Sequence, residues 1–202
     1  MISQNTFVVV DCETTGLISA LDKIIEIGAV KVVNGEIIDE FYTMVNPGVF
    51  VPSEVTHITG ITTDMLAGAP DFKAIAKKYM EFMGDAVFVA HNVVFDRGFL
   101  NQELSRNFEA PMGGPFLCTI DLARYLHPNL SKYALGPLCE HFAVDLPQAH
   151  RAIHDARATA GLLIKFLRSM QNGGVKDLRD IPVIQNMPKK VAIVVENQIS
   201  LF

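Results

Sequence analysis

The sequence predicts a layered α/β fold, and three observations predict it. The first third carries strand patterns joined by a tight turn, a short apolar run returns near residue 86, and segments of helical periodicity dominate the rest. FVVVD (7–11) reads as a buried strand. IIEIGAVKVV (24–33) and EIIDEFYTMV (36–45) flank Asn34-Gly35, a strong two-residue hairpin signal, so the three segments should form an antiparallel meander. NPGVFVPSEVTHITGIT (46–62) is rich in turn formers and reads as a loop with a short turn of helix. In DFKAIAKKYMEFMG (71–84), Phe72, Ile75, Ala76, Tyr79 and Met83 recur at helical spacing, with Asp71 as cap and Gly84 as stop. AVFVAH (86–91) is a second buried strand, followed by a helix over 96–106. TIDLARYLHP (119–128) reads as a helix ended by Pro128, and part of 134–142 as another. ARATAGLLIKFLRSM (156–170) is the clearest helix, with Gly173-Gly174 beyond its end. Pro182 and Pro188 then punctuate a polar stretch, which divides the chain into a domain over 1–174 and an extension over 175–202.

Composition narrows the function. With 202 residues, 50% hydrophobic and 19% charged, the chain is globular and long enough for one domain with a core. It holds neither an internal repeat nor a low-complexity tract. No apolar run approaches the roughly 20 residues that span a bilayer, and the start lacks a charged-then-apolar signal. A cytoplasmic protein without membrane contact is expected. Cys12, Cys118 and Cys139 are far apart and form no C-x-x-C pair, so neither a zinc site nor a disulfide framework is indicated. The net charge of −5 argues against coating nucleic acid over a long footprint but not against gripping a single chain end.

The chemistry is concentrated in three stretches. In VVVDCETTGL (8–17), Asp11 and Glu13 lie two residues apart at the end of a strand, so both point to one face while Cys12 points to the other. Two like charges side by side repel unless something positive lies between them; the bland alternative is a solvated strand end. HNVVFDRGFL (91–100) places Asp96 after a buried strand, where a helix should begin. HRAIHDARATAGLL (150–163) places His150 in a loop and Asp155 in the first turn of the last helix. Taken singly, Asp96 and Asp155 are as well read as helix caps, and His150 and His154 as ordinary loop or surface histidines.

Taken together and in order, DCETTG, HNVVFD and HRAIHD resemble the three motifs of the DnaQ-like 3′→5′ exonucleases of the DEDDh branch, over roughly residues 5–170. Within that family the chain is similar to the proofreading subunit of bacterial DNA polymerase and to exonuclease X. The resemblance implies an RNase H-like fold, a mixed five-stranded sheet flanked by helices. It also implies that Asp11, Glu13, Asp96 and Asp155 hold two divalent cations. Their hard oxygen donors suit Mg²⁺ or Mn²⁺ rather than zinc. By the family's pattern His150 is the general base, with His154 a competitor that lacks the family's spacing to Asp155. Thr14, Thr15, Gly16 and Leu17 would grip the last nucleotide, through backbone amides and an apolar wedge at Leu17. His91, Asn92 and Phe95 would line the other side. Turn formation at Thr15-Gly16 and core packing of Phe95 are the competing readings. In the loop with Glu54, His57 and Thr59, Thr59 stands where the polymerase subunit has a histidine, so that contact is not carried over.

The chain ends in QISLF (198–202), which resembles the short peptide that attaches bacterial polymerases and repair proteins to the ring-shaped sliding clamp. Gln198 would bond at the rim of the clamp's pocket while Leu201 and Phe202 fill its apolar part. The alternative is that VAIVVENQISLF forms an edge strand on the domain itself. These features imply an exonuclease acting on DNA 3′ ends, tethered to the clamp, with a DNA polymerase as a further expected partner. An RNA-trimming enzyme of the same fold and a non-catalytic end-binding module are the alternatives.

Overall fold

The valine run at the start of the chain becomes the central strand of a mixed five-stranded sheet in the computed structural model, which describes residues 5–107 and 110–187. This strand, β1 (Phe7–Thr14), pairs antiparallel with β2 (Ile24–Val33), which pairs antiparallel with β3 (Glu36–Met44). On its other side β1 runs parallel to β4 (Val87–Ala90), and β4 to β5 (Phe116–Cys118), giving the order β3-β2-β1-β4-β5. The meander and the returning strand are as the sequence predicts, and the five-stranded mixed sheet is as the family resemblance implies, although its strand β5 was not read from the residues. Asn34 (φ 54°) and Gly35 (φ 76°) both adopt the left-handed conformation that a two-residue hairpin turn of this hand requires.

Seven α-helices among the described residues complete the layers: α1 (Ser53–Thr59), α2 (Thr63–Leu66), α3 (Phe72–Met83), α4 (Val93–Arg106), α5 (Thr119–Leu126), α6 (Leu135–His141) and α7 (Ala152–Asn172). Alternating β1 residues serve opposite cores, because strand side chains alternate faces. Phe7 and Val9, with Val30, Val89 and Leu117, pack beneath Leu122 of α5, Leu138 of α6 and Phe166 of α7. Val8, Val10 and Cys12, with Ala29 and Phe88, pack against Tyr79 and Met83 of α3 and Phe99 and Leu104 of α4. The capping expected of α3 holds: the Asp71 carboxylate accepts from the Ala74 amide at 2.8 Å, and Gly84 (φ 51°) ends the helix.

Residues 46–62 form a loop around one short helix, α1, as expected, and α2 follows at once. Ile61 and Leu66 are buried with Ile25 in a small third core that holds both helices down. Three expectations need correction, the starts of two helices and the boundary at 174. Helix α4 starts at Val93 rather than 96, after Asn92 in a left-handed turn (φ 74°). Helix α7 starts at Ala152 rather than 156. The boundary at 174 does not mark the edge of the core, since Leu178 and Ile181 are 3% and 2% exposed within the α7-side cluster. Gln185 also exchanges both backbone hydrogen bonds with Phe116 of β5, at 3.0 and 3.1 Å. Gln198, Leu201 and Phe202 lie outside the described residues. The three cysteines are free and buried, and no described helix is long and apolar enough to cross a membrane.

Candidate active site

Asp11 and Glu13 stand on the α7 face of β1, directly across from Gly28 and Glu26 of β2. Gly28 is what lets α7 come near: a Cβ there would sit 2.4 Å from the backbone carbon of Ala152. The first turn of α7 therefore rests on the sheet and carries Asp155 to the two strand carboxylates. Asp96 arrives from the opposite face. The β1/β4 ladder covers only Phe7–Val9, so β1 overhangs it, and the Cys12 amide donates to Asp96 Oδ1 at 2.9 Å instead of to a strand. Asp96 lies in the first turn of α4 but does not occupy its cap position, which belongs to Asn92. Asp155 likewise is not the cap of α7, a position that Arg151 holds without a side-chain bond; it faces the acid cluster and accepts from the His150 amide, which precedes the helix, at 2.8 Å.

These acids line a cleft of about 450 Å³ that also includes His91, Asn92, Phe95 and His150. His154 is not among the lining residues; it stands within α7, half-buried. His150 is exposed and takes a left-handed backbone conformation (φ 61°), uncommon outside glycine. Cys12 also lines the cleft, and Ala134, Leu135, Gly136, Leu146 and Ala149 complete the wall and were missed from sequence. Small and apolar residues carry no chemical signature, and only the approach of α6 and the loop before α7 brings them here. His91 bonds Thr119 Oγ1 through Nδ1 at 2.9 Å, and burial lowers its pKa to about 4, so its ring is neutral at physiological pH.

The electrostatics explain what such a cluster needs. Burial raises the Glu13 carboxyl to about 7, and Asp155 and Glu26 push it further than Arg151 pulls it back. Burial raises Asp96 to about 8, offset in part by the amide of Cys12. Asp11 is raised well above the carboxylate range by burial and then by Asp96, Asp155 and Glu13. Asp155 is raised as well, again by burial first. Four carboxyls that resist ionising together are what a site shows when a cation is to complete it. Glu13, His150 and Asp155 each bring one ligand atom within 4.8 Å of the others. Oxygen donors dominate the set, which fits a hard divalent cation.

A second groove of about 420 Å³ adjoins the cleft across Phe95, lined by Thr14, Thr15, Gly16, Leu17, Pro52, Glu54, Val55, Ile58 and Thr59. Here the structure separates residues that build the loop from residues that face out. Thr15 donates its amide to Lys23 O (2.8 Å) and accepts the Lys23 amide on Oγ1 (3.0 Å), so this amide is not open to a ligand. Thr14 Oγ1 donates to Gly16 O at 2.6 Å, and a Cβ on Gly16 would collide with the Asp22 carboxylate at 2.5 Å. Leu17, held out by this frame, is 83% exposed. Phe95 does both jobs expected of it, packing on Phe99 at 4.8 Å while walling both cavities. Thr59 spends its hydroxyl on Val55 O and the Ile61 amide. His57 does not line the groove.

Residues 8–163, a span that includes Asp11, Glu13, Asp96, His150 and Asp155, match the family described as Exonuclease (RNase_T). The chain belongs to this exonuclease family. It is 42% identical to the PolC-type DNA polymerase III of Bacillus subtilis over 177 residues, which is 87% of this chain and 12% of that protein. The Staphylococcus aureus PolC-type polymerase is 39% identical over 201 residues, 96% of this chain and 14% of that protein. The chain thus spans only about an eighth of these relatives. Among solved structures, exonuclease X in complex with 5′ overhanging duplex DNA superposes with a TM-score of 0.69 at 31% identity, covering 84% of this chain and 94% of that one. Escherichia coli exonuclease I bound to a dT13 oligonucleotide shares the fold, with a TM-score of 0.74 at 22% identity over 84% of this chain and 43% of that one. The exonuclease domain and its RNase H-like sheet are therefore common to this chain and proteins solved with DNA.

Proposed function

We propose that this exonuclease is a metal-dependent 3′→5′ enzyme of DNA, releasing nucleoside 5′-monophosphates from chain ends in replication or repair. One observation carries the reading: Asp11, Glu13, Asp96 and Asp155 converge on a cleft with exposed His150 at its rim, beside a groove presenting Leu17. The four carboxylates would hold two Mg²⁺ or Mn²⁺ ions, which when bound supply the positive charge that eases attack by water and departure of the leaving oxygen. His150 takes the proton of the attacking water. A new P–O bond forms to that water oxygen, the P–O3′ bond breaks, and the proton ends on the 3′ oxygen left behind. The apolar groove of Leu17, Ile58 and Phe95 receives the terminal base, and His91 and Asn92 bound the opposite wall.

The choice of DNA over RNA rests on the relatives, a DNA polymerase III and a nuclease solved with duplex DNA. End-labelled single-stranded DNA, 3′-recessed duplex and RNA, each with Mg²⁺ or EDTA, test it. Mononucleotide release from DNA 3′ ends only with metal is expected; degradation from 5′ ends, or faster turnover of RNA, overturns it. We further infer that QISLF docks on the sliding clamp, with Gln198, Leu201 and Phe202 as its anchors, and that the protein works in the cytoplasm. Deleting residues 198–202 should abolish binding to immobilised clamp while sparing turnover of free oligonucleotides; undiminished clamp binding removes this assignment.

A further inference from the structure

A fifth acid belongs to the cluster by position but not by use. Glu26 is 0% exposed, stands opposite Glu13 in the β1/β2 register and faces the same side. By register alone it would count as another cation ligand. Both its oxygens are instead committed. Oε1 accepts from the Tyr42 hydroxyl (2.8 Å) and from Arg151 Nε and Nη2 (3.0 and 2.7 Å), and Oε2 accepts from the Ala152 amide (2.8 Å). Arg151 Nη2 also donates to Tyr42 Oη at 3.0 Å, closing the network. The buried carboxylate thus has an ionic partner and an amide donor, the condition under which a charge is tolerated inside a protein.

The two groups it holds are the residues immediately after His150. On its other side, the His150 amide is held by Asp155. A histidine in a left-handed turn costs energy and persists when its surroundings over-determine it. Here Glu26 fixes the chain beyond the turn, and Asp155 fixes the turn itself.

We propose that Glu26 is a positioning residue that, through Arg151 and the Ala152 amide, keeps the His150 ring facing Glu13 and Asp155. This rests on the reading of His150 as proton acceptor. The test compares Glu26→Gln, His150→Ala and the double variant on a single-stranded oligonucleotide. Mn²⁺ affinity is measured by calorimetry, and the His150 ring resonances by NMR of the metal-free protein. Glu26→Gln should lower kcat roughly 10–100-fold, as loss of an outer partner typically does. KM and Mn²⁺ affinity should change less than about threefold, and the His150 resonances should shift. In the His150→Ala background the same change should cost less than about twofold, because coupled residues are not additive. Full additivity, or a fall in Mn²⁺ affinity matching the fall in kcat, overturns the proposal. Unchanged turnover of His150→Ala alone sinks the reading of His150, whereas the NMR shift still reports whether Glu26 places that ring. Should Glu26→Gln not fold, Arg151→Lys keeps the charge while losing the two-pronged geometry, and the same pattern is expected. Wild-type kcat and unshifted His150 resonances in Arg151→Lys overturn the proposal equally.

Discussion

At the residue scale, the four carboxyls differ from ordinary surface acids in what they cost the metal-free protein. Glu13 rises from 4.5 to about 7 and Asp96 from 3.8 to about 8, so the folded chain holds protons that the unfolded chain has released. Stability from these groups therefore falls as pH rises through that window, and a bound cation, which displaces the protons, should bind more tightly over the same range. His91, lowered to about 4, acts oppositely but only below its ordinary value of 6.5. In EDTA the thermal midpoint should be lower at pH 8.5 than at pH 7, and added Mg²⁺ should raise it more at pH 8.5. A metal-free midpoint that climbs over this interval contradicts the account. Asp11→Asn, Asp96→Asn and Asp155→Asn should each leave a folded protein with activity cut by more than the roughly 100-fold that losing an outer partner can cost. His150→Ala should cost about 10²–10⁴-fold, the usual worth of a general base. His154→Ala should cost little; if steady-state kinetics reverse the two histidines, the base has been misassigned.

At the element scale, the decisive contact is α7 against β2. Gly28 reads in sequence as one more residue of an apolar strand, yet any side chain there would drive into the backbone of Ala152 and Ile153. Gly28→Ala should lower unfolding free energy by roughly 1–3 kcal/mol, the cost of overpacking, and weaken Mn²⁺ binding by moving Asp155 off Asp11. Urea denaturation and calorimetry check this, and parent-like values for both would show that the helix can yield. Element length also decided what could be foreseen. Helix α3, of twelve residues, shows its period plainly, whereas α1 and α2, of seven and four, are too short for one. β5 has three residues that run straight into α5, so nothing in FLC taken by itself distinguishes a strand.

At the scale of the whole molecule, the core is shared across a boundary that composition suggested. Leu178 and Ile181 lie in the same cluster as Phe166 and Leu167 of α7. Truncation after residue 174 should therefore destabilise the domain by about 2–4 kcal/mol, somewhat under the full burial value of two such side chains. The comparison is truncation after residue 187, which keeps Leu178 and Ile181. Equal unfolding midpoints for the two shortened chains would return 175–187 to the status of an appendage. Proline punctuation misled here because it marks irregular backbone, which can be buried as readily as regular backbone when its apolar side chains find a core.

The sequence by itself determined the meander, the returning strand and the long helices, and its motifs pointed to the five residues proposed for the site. Apolar period, turn chemistry and motif spacing are all local properties of the chain. Only the tertiary structure decided the rest. It brought Asp96 under the overhang of β1 and joined the groove of Leu17 to the cleft. It gave Glu26 to Arg151 although its register with Glu13 would have made it a fifth free acid. Which carboxylate is spent internally and which stays open depends on donors 125 residues away in the chain, and no local pattern carries that information.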